Sequence, residues 1–137
     1  MGARGASREA ALQMLFAMEA NTSATTAQVI SSFWRETPGD PEGREYADRI
    51  VEGVASDLTA VDEAIKNAST NWRLERMARV DRNVLRLGAW ELLKSPDVPR
   101  AVVLDEAVEL AKRYGSEDSG AFVNGVLDRV AENLARG

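Results

Sequence analysis

The chain has 137 residues, the length of one domain, with 45% hydrophobic and 28% charged residues. It contains no His and no Cys, which excludes imidazole bases, thiolate nucleophiles, disulfides and metal sites built on either residue. Its 17 Lys and Arg against 22 Asp and Glu leave a net charge of −5, so any nucleic-acid contact must come from a local basic patch.

Alanine supplies 21 residues against 10 Gly and 4 Pro, a balance that favours helix over strand. No apolar run is long enough to span a membrane. Arg4 and Arg8 are not followed by the apolar stretch of a signal peptide. Residues 1–8 read as a flexible basic arm. The first predicted helix opens at Ser7, an N-cap type, with Glu9 in its first turn. Leu12, Leu15 and Phe16 fall on one stripe, and the helix ends near Asn21-Thr22-Ser23. A second helix over about 25–35 carries Val29, Ile30, Phe33 and Trp34. Pro38-Gly39-Asp40-Pro41 stops it and starts the third, with Pro41 suited to the first helical position.

Tyr46, Ile50 and Val54 lie at i, i+4 and i+8 on that third helix. A weak break at 56–59 leads to Leu58, Val61 and Ile65, and a turn is expected at 67–71. Val80, Val84, Leu87 and Leu92 line the next helix, ended by Ser95-Pro96 and Pro99. Residues 102–114 are helical again, with Gly115 placed as a C-terminal cap. Asp118 or Ser119 can cap the last helix, whose stripe is Phe122, Val126, Leu127, Val130 and Leu134. No segment alternates with period two. The pattern predicts an all-α fold, a compact bundle of about six or seven helices in one domain, 1–137. Trp34, Trp72 and Trp90 fall to the core by default.

Three groups could carry chemistry. Asp105 and Glu109 share a helix face with Lys112 and Arg113 one turn on. That is the acidic-to-basic ladder of a solvated face, and an acid–base or metal role finds no further support. Arg73, Arg76, Arg79, Arg82 and Arg86, tempered by Glu75 and Asp81, read either as a solvated face or as a surface for phosphate or an acidic partner. Lys112-Arg113-Tyr114-Gly115 puts two cations and an aromatic beside a tight turn, and Glu117-Asp118-Ser119 opens the next helix. Cations reach phosphates and an aromatic can stack a splayed base. Tyr114 could equally cover the helix end, and Phe122 belongs to a core stripe. Gly115, Gly120 and Gly125 follow no strand and make no phosphate loop.

The strings REAALQMLF, RVDRNVLRLGAWELL and VPRAVVLDEAVELAKRYGSEDSGAFVNGVLDRVA, in this order and spacing, resemble the bacterial NusB family of transcription antitermination factors. The resemblance covers nearly the whole chain, and its last string, through Phe122-Val123-Asn124-Gly125-Val126-Leu127-Asp128, is the most specific part. Residues 21–45 match in helical character alone.

The resemblance implies a fold of two small perpendicular helical bundles and no enzymatic activity or cofactor. It implies binding of boxA, a single-stranded RNA element of ribosomal RNA transcripts, together with the ribosomal protein NusE. NusA, NusG and RNA polymerase are then indirect partners, and the protein acts in the cytoplasm. Carried onto this chain, the RNA-binding residues are Arg4, Arg8, Gln13, Lys112, Arg113, Tyr114, Asp118, Phe122 and Asn124. The family's N-terminal segment has a denser Arg cluster in some members; Gly5, Ala6 and Ser7 stand there here, so weak RNA binding by the chain alone is expected. A NusE-facing surface is expected around Phe16, Glu75 and Asp81, and some members of the family self-associate, which adds a homodimer to the expected partners. Arg4, Arg8, Lys112 and Arg113 together predict a log–log salt slope for single-stranded RNA of about −3.

Two other classes stand beside this one. A helical module bound to NusE without useful RNA contact is the first. A NusB-like module also opens some ribosomal RNA cytosine methyltransferases; this chain has no dinucleotide-type fold and no Cys nucleophile, so a complete, non-catalytic protein is expected.

Overall fold

The computed structural model of the chain describes residues 3–70 and 73–137. Among these residues it contains seven α-helices, one short 3-10 turn and no strand: α1 (Ala3–Ala20), α2 (Thr26–Glu36), α3 (Pro41–Ser56), α4 (Leu58–Ala68), the 3-10 turn Leu74–Arg76, α5 (Arg79–Lys94), α6 (Arg100–Tyr114) and α7 (Ser119–Asn133). The chain divides into two compact units, Met1–Ser56 and Asp57–Gly137. The division falls at the weak break expected at 56–59. Among the described residues no helix is long and apolar enough to cross a membrane.

In the first unit α1 lies along α3, and α2 packs on both. Ala11, Leu12, Met14 and Leu15 of α1 and Tyr46, Ala47, Ile50, Val51 and Val54 of α3 form the core. Each set recurs at three- and four-residue intervals, so each helix turns one apolar stripe inward. α2 opens on a full capping box: the Thr25 hydroxyl accepts from the Gln28 amide at 3.1 Å, and the Gln28 side chain accepts from the Thr25 amide at 2.8 Å. Pro41 is the first residue of α3, as its fixed φ favours.

Ser7 is not the start of α1. The helix already runs from Ala3, so residues expected in a flexible arm are helical from that point, and Met1 and Gly2 lie outside the described residues. Buried inside the helix, Ser7 donates its hydroxyl to the Gly43 carbonyl at 2.8 Å and ties α1 to α3. The N-cap signal was thus a buried tertiary hydrogen bond between two helices.

In the second unit α5 is the central helix and packs against α4, α6 and α7. Its Val84, Leu85, Leu87, Ala89, Trp90 and Leu92 are buried, while Val80 is half-buried. Gly88 lets α5 and α7 approach: a Cβ there would stand 2.6 Å from a methyl of the fully buried Leu127. Asp62 of α4 and Arg86 of α5 form a two-bonded pair, Nε–Oδ1 at 2.9 Å and Nη2–Oδ2 at 3.1 Å. Arg136 closes the end of α5, donating to the carbonyls of Leu92 (2.9 Å), Ser95 (2.7 Å) and Val98 (2.9 Å). Arg100 meets Asp128 at 2.6 Å and Glu132 at 3.3 Å, which joins the start of α6 to α7. The hydrogen bond to Asp128, above all, raises the Arg100 pKa over its ordinary value.

Leu58 and Leu134 continue predicted core stripes but are 38% exposed. Leu58 is the first residue of α4, and Leu134 is the C-cap of α7. Trp90 is buried as expected, Trp34 is half-buried, and Trp72 and Asn71 lie outside the described residues.

Candidate nucleic-acid interface

The expected RNA residues fall into one group in each unit. In the first unit, α1 carries Arg4, Arg8 and Gln13. Arg4 is exposed, and its guanidinium lies 4.3 Å from the centroid of the Tyr46 ring. Arg8 is only 3% exposed and lies 5.7 Å from the same centroid. A buried guanidinium needs partners, and the electron-rich ring face is one. Arg8, expected to reach RNA, is thus buried against the Tyr46 ring in this structure. Gln13 is half-buried and lines a cleft of about 320 Å³ together with Phe33, Trp34, Gly39 and Gly43. The Trp34 indole there donates to Asp48 at 2.7 Å and meets Phe33 edge-on at 5.0 Å.

In the second unit the turn between α6 and α7 gathers the other group. Lys112 and Arg113 are exposed in the last turn of α6, where the helix dipole favours cations, and Tyr114 is its half-buried last residue. Gly115 follows with φ −103°, not the left-handed conformation expected of a glycine cap. Its reason is space: a Cβ would stand 2.7 Å from the Ala111 carbonyl and 2.5 Å from the Ser119 hydroxyl. That hydroxyl accepts from the Ser116 amide at 3.0 Å, which closes the turn, while Asp118 precedes α7 without a side-chain cap. A Cβ at Gly120 would stand 3.2 Å from Cγ of Lys112, so the Lys112 stem crosses α7 there. Asp118 and Asn124 are exposed, and Phe122 is half-buried.

Asp118 and Phe122 also line a cleft of about 240 Å³ with Arg76, Met77, Ala78 and Asp81. Residues expected to face RNA thus share a cleft with Asp81, expected to face the protein partner. One carboxylate oxygen of Asp81 is buried without a hydrogen-bond partner. Glu75 is exposed in the 3-10 turn, and Phe16 is half-buried on α1. The Arg73–Arg86 stretch divides. Arg86 is engaged by Asp62 and Arg82 donates to the Met77 carbonyl at 3.2 Å, so these two serve the fold. Asp105 and Glu109 are exposed on α6, and among the described residues no carboxylate group is arranged to hold a metal ion.

Two residues near Arg4 had no place in the sequence reading of the site. Tyr46 was read as core, which it is. Arg49, one turn further along α3, lies 5.8 Å from the Tyr46 centroid. The signal was its i+3 position relative to an aromatic, but nothing in the sequence pairs α3 with Arg4.

Among the described residues, seven helices in two units define an all-helical protein. The chain belongs to the NusB family, whose model matches residues 5–132. It is 78% identical to the transcription antitermination protein NusB of Sorangium cellulosum, over 99% of this chain and 96% of that one. It is 52% identical to that of Myxococcus xanthus, over 98% of each. T. maritima NusB has a TM-score of 0.87 at 42% identity, covering 94% of this chain and 90% of that one. A structure of antitermination factors NusB and NusE in complex with double-stranded RNA contains a chain with TM-score 0.88 at 26% identity, covering 97% of this chain and 98% of that one.

Proposed function

We propose that this protein is a transcription antitermination factor that binds boxA-type single-stranded RNA together with NusE and supports elongation by RNA polymerase. The observation that carries the reading is the match over nearly the whole chain to a protein solved with NusE and RNA. That complex holds double-stranded RNA. The preference for a single strand is inferred from the chemistry here: exposed bases can use the Tyr114 and Phe122 edges, and a paired stem hides them.

In this reading Arg4, Lys112 and Arg113 contact phosphates. Tyr114 and Phe122 flank a base, and Gln13, Asp118 and Asn124 read base edges. Arg8 acts through Tyr46, by holding α1 on α3. Phe16, Glu75 and Asp81 face NusE, and carboxylates at that surface steer a basic partner. NusA, NusG and RNA polymerase are reached through the complex, in the cytoplasm. Self-association would compete for the same surfaces. The protein has no catalytic role in this reading.

Fluorescence anisotropy tests it, with a boxA strand, a scrambled strand and a duplex, each with and without NusE at two salt concentrations. Tighter binding to boxA, increased by NusE, is expected. Lys112→Ala should weaken all RNAs alike, and Asp118→Ala should change discrimination among them. Equal or absent binding to every RNA with NusE bound would leave a module that binds NusE alone.

A further inference from the structure

We propose that Gly125, in the middle of the outward face of α7, is the place where a nucleoside of the bound RNA lies flat against the helix, between Phe122 and Asn124. The inference rests on the RNA-binding reading above and adds to it a residue that has no side chain to make a contact. Glycine inside a helix costs stability relative to alanine, because it is freer in the unfolded chain and leaves the helical backbone uncovered. Three glycines stand inside helices of the second unit, Gly88 on α5 and Gly120 and Gly125 on α7. Packing accounts for the first two: a Cβ at Gly88 would stand 2.6 Å from a Leu127 methyl, and one at Gly120 would stand 3.2 Å from Cγ of Lys112. A Cβ at Gly125 would meet nothing within 4 Å among the described residues. The position is exposed, so alanine would fit the fold there and strengthen the helix.

The fold gives no reason for this glycine, and its surroundings give an external one. At helical spacing Ala121, Phe122, Asp128 and Arg129 surround it at i−4, i−3, i+3 and i+4, and Asn124 precedes it. Phe122 is half-buried and the other four are exposed, while Val123, Val126, Leu127 and Val130 face the core. The centre of the outward face is therefore bare backbone, bordered by a ring on one side and an amide on the other. Asp128 is engaged by Arg100 at 2.6 Å, which offsets the carboxylate nearest the bare turn. A nucleoside suits this surface. Its flat face lies on the exposed backbone and the Ala121 methyl, its edge meets the Asn124 amide, and the Phe122 ring flanks it. A methyl group at Gly125 would stand where that face has to rest. A partner helix packs along a longer ridge of side chains, and here Asp128 and Arg129 interrupt the small positions after one turn.

The test uses the full chain. Gly125→Ala and Gly125→Leu are melted by circular dichroism and titrated with labelled boxA and scrambled strands over a salt series, and with labelled NusE in the absence of RNA. Both variants should melt higher than the wild type, by about 3–5 °C for alanine. RNA binding should nevertheless weaken in order of side-chain size, by about fivefold for alanine and more for leucine. The salt slope should stay unchanged, because no phosphate contact is lost. NusE affinity should stay at the wild-type value. Stability and RNA affinity then move in opposite directions, which a glycine serving the fold would not give. Wild-type RNA affinity in Gly125→Leu, with Lys112→Ala still weakened, would overturn the inference and leave the RNA reading standing. A lower melting temperature in Gly125→Ala would overturn it too, by returning the glycine to the fold. Loss of NusE affinity with RNA binding intact would overturn it by placing the protein partner on this face. Absence of RNA binding by the wild type, with and without NusE, would overturn both.

Discussion

Arg4 and Arg8 stand one helical turn apart on α1, yet only Arg4 is exposed. Removing each should therefore fail in a different way. Arg8→Ala deletes a buried guanidinium and its hydrocarbon stem from beside Tyr46. It should lower stability by about 1–2 kcal/mol in a urea titration and leave the salt slope of RNA binding unchanged. Arg4→Ala should do the reverse, with little change in stability and a shallower slope. At the α6–α7 turn the sensitive position is Gly115, whose crowding involves backbone. Gly115→Ala drives a Cβ against the Ala111 carbonyl and must displace the end of α6 that presents Lys112, Arg113 and Tyr114. A loss of about 1–2 kcal/mol of stability and a weakening of every RNA tested should follow. Unchanged melting and affinity would show that the turn relaxes freely.

At the scale of helices, the close approach of α5 and α7 depends on Gly88. Alanine there gains about 1 kcal/mol of helix propensity but overpacks the fully buried Leu127, whose methyls must shift to admit it. The net expectation for Gly88→Ala is destabilisation by about 1–2 kcal/mol, read from the denaturation midpoint. Helix existence and most inward faces could be read from the sequence, because Tyr46, Ile50 and Val54 or Val126, Leu127 and Val130 repeat at helical intervals whatever they pack against. Helix starts were less readable. Ser7 has the side chain of an N-cap, yet spends it on Gly43, thirty-six residues away. The same limit applies to the site. The run from Lys112 to Asn124 is contiguous, so its residues could be named together. The neighbourhood of Arg4 is made by α3, and local sequence carries no record of which helix lies alongside. Arg8 is the example: expected to reach RNA, it is buried beside Tyr46.

For the molecule as a whole, charge works against RNA. The first unit holds five Lys and Arg against eight Asp and Glu, and the second twelve against fourteen, so the units carry −3 and −2. Neither is a basic body that would hold nucleic acid nonspecifically, and affinity must come from a few placed cations. Their number fixes the salt dependence. Arg4, Lys112 and Arg113 alone would give a log–log slope of about −2 for a single strand, and a contact by Arg8 as well would bring it to about −3. A variant separates the two accounts: Arg8→Ala should leave the slope near −2 where Arg8 stays on Tyr46, whereas a slope of about −3 that falls by about 0.7 in this variant would show that Arg8 reaches RNA. A NusE that touches RNA in the proposed complex would add phosphate contacts, and the slope of the ternary complex should then be steeper than that of the protein alone. A slope unchanged by NusE, despite tighter binding, would mean that the partner acts by ordering the RNA surface and not by touching RNA.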